Sequence, residues 1–298
     1  MTESHDHPGN PSGRDHTGRW TDLERPPLGL RALRRGLILP GGLWTSLDVV
    51  EATGSTNTDL AARAADGAPE GAVLVAEEQT AGRGRLDRRW SAPARSGIFF
   101  SVLLRPGPGV PAERLGWLPL LTGVAVATAL SRAAGVDTAL KWPNDLLVTV
   151  DGEERKAGGI LAERTRQAGG DDAVVVGVGL NVSLRAAELP VPTAGSLALA
   201  NAVSLDRDTL LRAVLRSLER WYGQWREAGG DPAASRLQEA YTAGCATLGR
   251  RVRAELPGGR ELVGEAVAVD GDGRLVVATD DGGRHPVGAG DIVHVRGA

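Results

Sequence analysis

The chain has 298 residues and a formal net charge of −3, with 34 Lys plus Arg against 37 Asp plus Glu. Hydrophobic residues make up 42% and charged residues 24%, ordinary proportions for a globular chain able to bury a core. That balance excludes an overall basic nucleic-acid binder, and a single cysteine, Cys245, excludes an internal disulfide and fits a reducing compartment. No apolar signal segment opens the chain, because residues 1–25 are polar and rich in Gly, Pro, His and Asp. The expectation is a soluble cytoplasmic protein with one large domain and one small one.

Residues 1–35 are expected to be disordered or loosely attached, with Pro8, Pro11, Pro26 and Pro27 and few aliphatic residues before Leu28. Only residues 28–35 hint at a helix, and no DNA-reading helix-turn-helix is visible. The first candidate strand is 43–50. Ser55-Thr56-Asn57-Thr58-Asp59 then opens a short helix, with Thr56 and Asp59 spaced as in a capping box. Such a cluster serves as a cap, and a set of short donors and acceptors at a helix start equally suits a small polar head group. Residues 72–76 form a buried strand bounded by glycine.

Residues 77–90, EEQTAGRGRLDRRW, form the most unusual stretch. Gly82 and Gly84 allow positive φ and a close approach to a ligand. Arg83 and Arg85 offer planar cationic forks to carboxylate or phosphate oxygens, and Trp90 offers a flat face. A solvated basic loop accounts for the same residues, so their meaning depends on what surrounds them.

Residues 97–105 predict a strand broken by Pro106, Pro108 and Pro111. Residues 114–134 predict a buried helix whose longest uncharged run, 115–131, falls short of a bilayer span. Residues 138–150 contain KWPNDLLV and predict one strand interrupted by a polar, proline-fixed kink, the mark of a bulge or a site. Lys156 begins the returning strand, where Gly158-Gly159 would let a ligand lie on the backbone. Although Lys plus Arg total 34, Lys141 and Lys156 are the only lysines. An ammonium retained in an arginine-biased chain suggests a need for a compact or titratable charge.

Residues 173–182 predict a further strand. Its Gly177-Val178-Gly179 lacks the third glycine and the following helix of a dinucleotide loop, and no GxxxxGK[ST] occurs. Residues 206–227 are an amphipathic helix, with Leu210, Val214, Leu218, Trp221 and Trp225 near one stripe, and 232–243 a second helix. From Leu248 four short alternating runs, 250–256, 261–269, 275–279 and 291–295, predict a small antiparallel barrel. Five histidines and one cysteine show no metal-ligand spacing, so no protein metal ligands are assigned.

GRGRLDRRW, KWPNDLLV, RKAGGILAE and VGVGLNV, in this order and near this spacing, resemble biotin protein ligase over about residues 43–298. The resemblance implies an α+β fold. A mixed β-sheet flanked by helices, the class II synthetase-like biotin ligase fold, would occupy 36–245, and an SH3-like barrel 246–298. It implies an enzyme that uses ATP and Mg²⁺ to activate biotin as biotinyl-5′-AMP, then joins it to one lysine of a biotin carboxyl carrier protein or domain. Ser55, Thr56, Asn57 and Gln79 match the positions that hold the ureido head, and Gly159 the backbone under biotin. Arg83, Gly84 and Arg85 match the loop that closes over biotin and the adenylate. Lys156 matches the catalytic lysine, with Arg85 beside it. Asn144 and Asn181 match positions near the nucleotide, where Lys141 and Trp90 are also expected. Neither nucleic acid nor membrane is an expected partner, and the chain is expected to be a monomer or homodimer. Family members that repress transcription carry an N-terminal DNA-binding domain, which has no counterpart here.

The chemistry suits these residue types independently. A carboxylate attacking the α-phosphorus of ATP brings two anions together, so positioned cations lower the barrier. The mixed anhydride is water-sensitive, which suits a glycine-hinged loop that orders over it. Two other readings account for part of the sequence. Lipoate ligases and octanoyl transferases share the catalytic fold but carry an arginine followed by three glycines, absent here. A non-catalytic nucleic-acid binder would use Arg83, Arg85, Arg88 and Arg89 as a phosphate patch.

Overall fold

Seven strands form the main sheet of the computed structural model, which describes residues 25–86, 88–166, 172–256, 260–288 and 291–294. They are β1 (Ser46–Val50), β2 (Ala72–Ala76), β5 (Gly97–Leu104), β6 (Thr138–Lys141), β7 (Asp145–Val150), β8 (Glu153–Arg166) and β9 (Asp172–Asn181). Their order is β1-β2-β5-β9-β8-β7-β6. Only β1 and β2 are parallel, so the sheet is mixed as expected. β3 (Gly82–Arg83) and β4 (Arg89–Trp90) make a separate two-stranded ribbon from the arginine-rich stretch.

Strand alternation sends the two faces of the sheet to different fates. Val174, Val176, Val178 and Leu180 of β9 enter the larger core, under α3 (Trp117–Ala134), α4 (Arg207–Glu227) and α5 (Leu237–Gly244). On the opposite face Leu60 and Ala64 of α2 (Thr56–Ala65) pack on Ala72, Leu74, Leu103, Ala173 and Val175. The next residues of β9 on that face are Gly177 and Gly179, where the packing stops and a cavity opens. The helical stretch Ala112–Ala134, which includes α3, is long and apolar enough to cross a membrane by length and composition, and most of it is buried in the protein core. Gly135, in the left-handed region at φ 61°, ends it.

Four differences from the sequence reading have simple causes. Residues 138–150 form a hairpin rather than one kinked strand, because Trp142-Pro143-Asn144, with a cis Trp142-Pro143 bond, turns the chain and sets Lys141 opposite Asp145. The second C-terminal helix starts at Leu237, after a turned segment in which Asp231 caps Ala233 and Ala234. The small domain has five strands where four were expected: β10 (Arg251–Leu256), β11 (Arg260–Val269), β12 (Leu275–Ala278), β13 (Arg284–Val287) and β14 (Asp291–His294). Their order, β13-β12-β11-β10-β14, is an open antiparallel sheet in the described residues rather than a closed barrel.

The fourth difference concerns the N-terminus. Residues 1–24 of the expected loose tail lie outside the described residues. From Arg25 the chain is docked, and α1 (Leu30–Leu37) buries Leu33 and Leu37 against the body. Trp117 and Trp142 donate their indole N–H groups to the carbonyls of Gly271 and Gly273, at 2.8 and 3.0 Å, tying the small domain to the large one.

Candidate active site

The site begins with a counting irregularity in β8. Leu146 pairs with Gly158 and Leu147 with Lys156, so Ala157 is an extra, unpaired residue. Because side chains alternate along a strand, one extra residue reverses every face assignment beyond it. Ala157 turns into the core, fully buried, and Lys156 shares a face with Gly159, Leu161 and Glu163. The backbone of Lys156 is also bridged by the segment 193–195. Lys156 donates its N–H to the Thr193 carbonyl at 2.8 Å, and Gly195 donates to the Lys156 carbonyl at 2.8 Å. Asp145, directly opposite Gly159, holds the Lys156 ammonium at 2.6 Å.

The polar end of the cavity comes from the start of α2. Ser55 caps that helix weakly, accepting from the Thr58 N–H at 3.5 Å. Thr56 donates its backbone N–H to Gln79 Oε1 at 2.9 Å. Asn57 lies directly on Gly177, where any side chain would collide with its amide oxygen. The Ser101 hydroxyl, buried in β5, donates to Asn57 Oδ1 at 2.6 Å and lies 2.8 Å from Thr56 Oγ1. Trp90 covers the neighbouring strip of sheet. A Cβ at Gly179 would lie 2.6 Å from its ring, and one at Gly159 3.2 Å. The two alternate glycines of β9 are therefore small because side chains of the site lie flat on them.

The cations come from three directions. Arg83 Nη1 lies 3.1 Å from Glu163 Oε1. Arg85 donates to Asn144 Oδ1 at 3.4 Å, and Asn144 is itself fixed by donating to the Ile160 carbonyl at 3.0 Å. Burial pushes the Arg85 guanidinium below its ordinary pKa, with Asp145 opposing. Burial likewise lowers the Lys141 ammonium, while Asp145 raises it and Lys156 lowers it further.

These groups line one cavity of about 330 Å³. Ser55, Thr56, Asn57, Gln79, Arg83, Gly84, Arg85, Trp90, Lys141, Asn144, Lys156 and Gly159 all face it. Asn181 does not. It is buried at the end of β9, where its amide donates to the Gly195 carbonyl at 2.9 Å, so it braces the segment that braces Lys156. The sequence reading also passed over Glu163, Ser101 and the wall contributed by Glu255, Ile292 and Val293 of the small domain. Gly177 and Gly179 were legible in retrospect, since glycines spaced by two on a strand share a face.

His294 in β14 sits at the seam between the domains. Its ring nitrogens lie 3.2 Å from Thr247 Oγ1 and 3.3 Å from Arg250 Nη1, and Arg250 pairs with Glu154 through two contacts of 2.7 Å. Burial, then the nearby Lys141 and Arg250 charges, push its pKa down from 6.5 to about 4, against the weaker pull of Glu154. A folded state that resists protonation keeps this contribution in full above the unfolded pKa, near 6.5, and loses it as pH falls toward about 4. The loss is expected to be about 1–2 kcal/mol, allowing for the half-exposed ring. Urea midpoints at pH 7.5 and pH 5 should therefore fall less in His294→Gln than in the parent chain. Equal falls would remove His294 from the account.

A mixed sheet with an open patch that gathers two lysines, four loop arginines and a short-chain polar pocket has the layout of an acid-activating ligase. Residues 49–181 match the biotin/lipoate A/B protein ligase family and 247–295 the biotin protein ligase C terminal domain. The chain is 46% identical to the biotin--[acetyl-CoA-carboxylase] ligase of Mycobacterium tuberculosis, over 92% of its own length and 98% of that protein's. It is 32% identical to the bifunctional ligase/repressor BirA of Escherichia coli, over 81% of this chain and 71% of that one. Biotin protein ligase from Aquifex aeolicus, solved in complex with biotin and ATP, superposes with a TM-score of 0.68 at 27% identity, covering 85% of this chain and 100% of that one. The chain belongs to the biotin/lipoate A/B protein ligase family, on its biotin protein ligase branch.

Proposed function

We propose that this chain activates biotin with ATP as biotinyl-5′-AMP and transfers the biotinyl group to one lysine of a biotin carboxyl carrier protein or domain. The observation that carries the reading is the convergence of Lys156, the Arg83–Arg85 loop and the Ser55–Asn57/Gln79 pocket on one cavity. In the first step the biotin carboxylate attacks the α-phosphorus and pyrophosphate leaves. In the second the carrier amine attacks the acyl carbon, AMP leaves, and the amine proton is released.

The residues divide this work by position. Ser55, Thr56, Asn57 and Gln79 hold the ureido head, and Trp90 lies along the floor made by Gly159 and Gly179. Lys156 brings the carboxylate and α-phosphate together, and the ion pair with Asp145 keeps its ammonium aimed. Arg85, Lys141 and Asn144 serve the phosphates at the small-domain wall. Among the described residues no group of three or more His, Cys, Asp or Glu could hold a metal ion. Mg²⁺ keeps several waters and is bound mainly by substrate phosphates with one or two carboxylates. Asp145 is the carboxylate placed to assist, and the ion supplies charge neutralisation when it arrives with ATP.

The expected carrier is the biotinyl-accepting unit of a carboxylase, the working compartment the cytoplasm, and the working form a monomer or homodimer. Incubation with ATP, Mg²⁺, biotin and a carrier domain should add one biotinyl group to the carrier, read by mass. Equal modification with lipoate in place of biotin would transfer the assignment to the other branch of the family.

A further inference from the structure

Glu163 stands on β8 at the rim of the cavity, and its two carboxylate oxygens serve different walls. Oε1 pairs with Arg83 Nη1 at 3.1 Å, and Oε2 accepts from Asn57 Nδ2 at 2.9 Å. Asn57 belongs to the polar pocket, whereas Arg83 belongs to the ribbon of β3 and β4 that roofs it. From Asn57 the contacts continue through Ser101 to Thr56, and from the Thr56 backbone to Gln79. Gln79 lies four residues before Arg83 in the same loop. A chain of polar contacts thus leaves the loop at Gln79, passes beneath the pocket and returns to the loop at Arg83.

The orientation of each link is determined. Ser101 has one hydroxyl proton, and the 2.6 Å contact assigns it to Asn57 Oδ1. That leaves the Asn57 amide nitrogen to donate, to Glu163 and to the Leu161 carbonyl at 3.1 Å. A carboxylate is the side chain that accepts from a neutral amide and a guanidinium at once. The Arg83 side chain is 49% exposed, and an ion pair so open to water adds little to stability. Its value lies in where it holds the ribbon.

We propose that Glu163 is a positioning residue that couples occupation of the polar pocket to closure of the arginine ribbon over the reacting atoms. The inference rests on the biotin-activation reading above. A head group that competes for Asn57 or Gln79 redistributes hydrogen bonds along the circuit and alters the hold of Glu163 on Arg83. Because such coupling is reciprocal, a ribbon held by Glu163 in turn sharpens the pocket for its ligand.

The test uses the full chain and measures biotin-dependent ATP–pyrophosphate exchange together with free biotinyl-AMP released to solvent. Glu163→Ala is expected to raise the KM for biotin about tenfold, the effect of losing one charge-assisted hydrogen bond, with a much smaller change in kcat. Release of free biotinyl-AMP should rise in parallel. Glu163→Gln keeps an acceptor for Asn57 and loses the charge facing Arg83, so the KM should recover only in part while the leak persists. Arg83→Ala should leak as well, and adding Glu163→Gln to it should bring no further leak. Should Glu163→Ala fold poorly, the near-isosteric Glu163→Gln and the double variant carry the test. Unchanged KM and leak in an active chain, or additive leaks in the double variant, would overturn the coupling alone. A parent chain without biotin-dependent exchange would overturn the reaction itself, and the coupling with it.

Discussion

Lys156→Ala is expected to lower biotin-dependent pyrophosphate exchange by about 10²–10³-fold, the usual cost of removing one preorganised group that stabilises developing charge. The bulge at Ala157 aims this ammonium at the cavity, and Asp145 holds it at 2.6 Å. Lys141 lies across the β6–β7 hairpin, and the Arg83 and Arg85 forks are engaged with Glu163 and Asn144. Stability should change by only about 0–1 kcal/mol, because the pair is part-exposed. Activity and melting temperature therefore separate chemistry from folding. Exchange within threefold of the parent chain would remove Lys156 from the reaction.

The second large effect concerns stability. Arg207 and Glu77 form an ion pair at 2.6 Å with both side chains only 6% exposed. Glu77 also accepts from the Leu28 N–H at 2.6 Å, while Arg207 donates to the Gly97 carbonyl at 3.2 Å and to the Pro26 carbonyl at 2.5 Å. The pair thus fastens residues 26–28 against the ends of β2 and β5, at the start of the loop that carries Gln79. Removing one member leaves an uncompensated buried charge, so Arg207→Met is expected to cost about 3–5 kcal/mol. In a chain of this size that lowers the melting temperature by about 10 °C. The double variant Arg207→Met/Glu77→Gln should recover part of the loss, since a buried pair replaced as a whole is far less costly than one broken. A single-variant shift below about 2 °C would show that water enters the site.

What could be read from the sequence was what local chemistry dictates. Alternating glycines and arginines, a lysine beside two glycines, and short polar residues at a helix start each announce a need, and all of them reach the cavity. What was missed depends on partners distant in sequence. Asn181 ends a strand whose last side chain is claimed by residues 193–195, and nothing in VGVGLNV records that. Ser101 sits in an apolar run and passes for an ordinary core strand residue. Arg284-His285-Pro286-Val287 lacks alternation, so β13 is a strand only because β12 offers it an edge. Leu33 and Leu37 have helical spacing, but the surface that buries them lies on β1 and α4.

Ala157 has a practical meaning for anyone who transplants the β7–β8 hairpin into another scaffold. A copy that preserves only the in-and-out rhythm of the strand would point its amine into hydrocarbon. The odd residue is what sets the address of the charge, and it has to be carried along with the glycines that follow it.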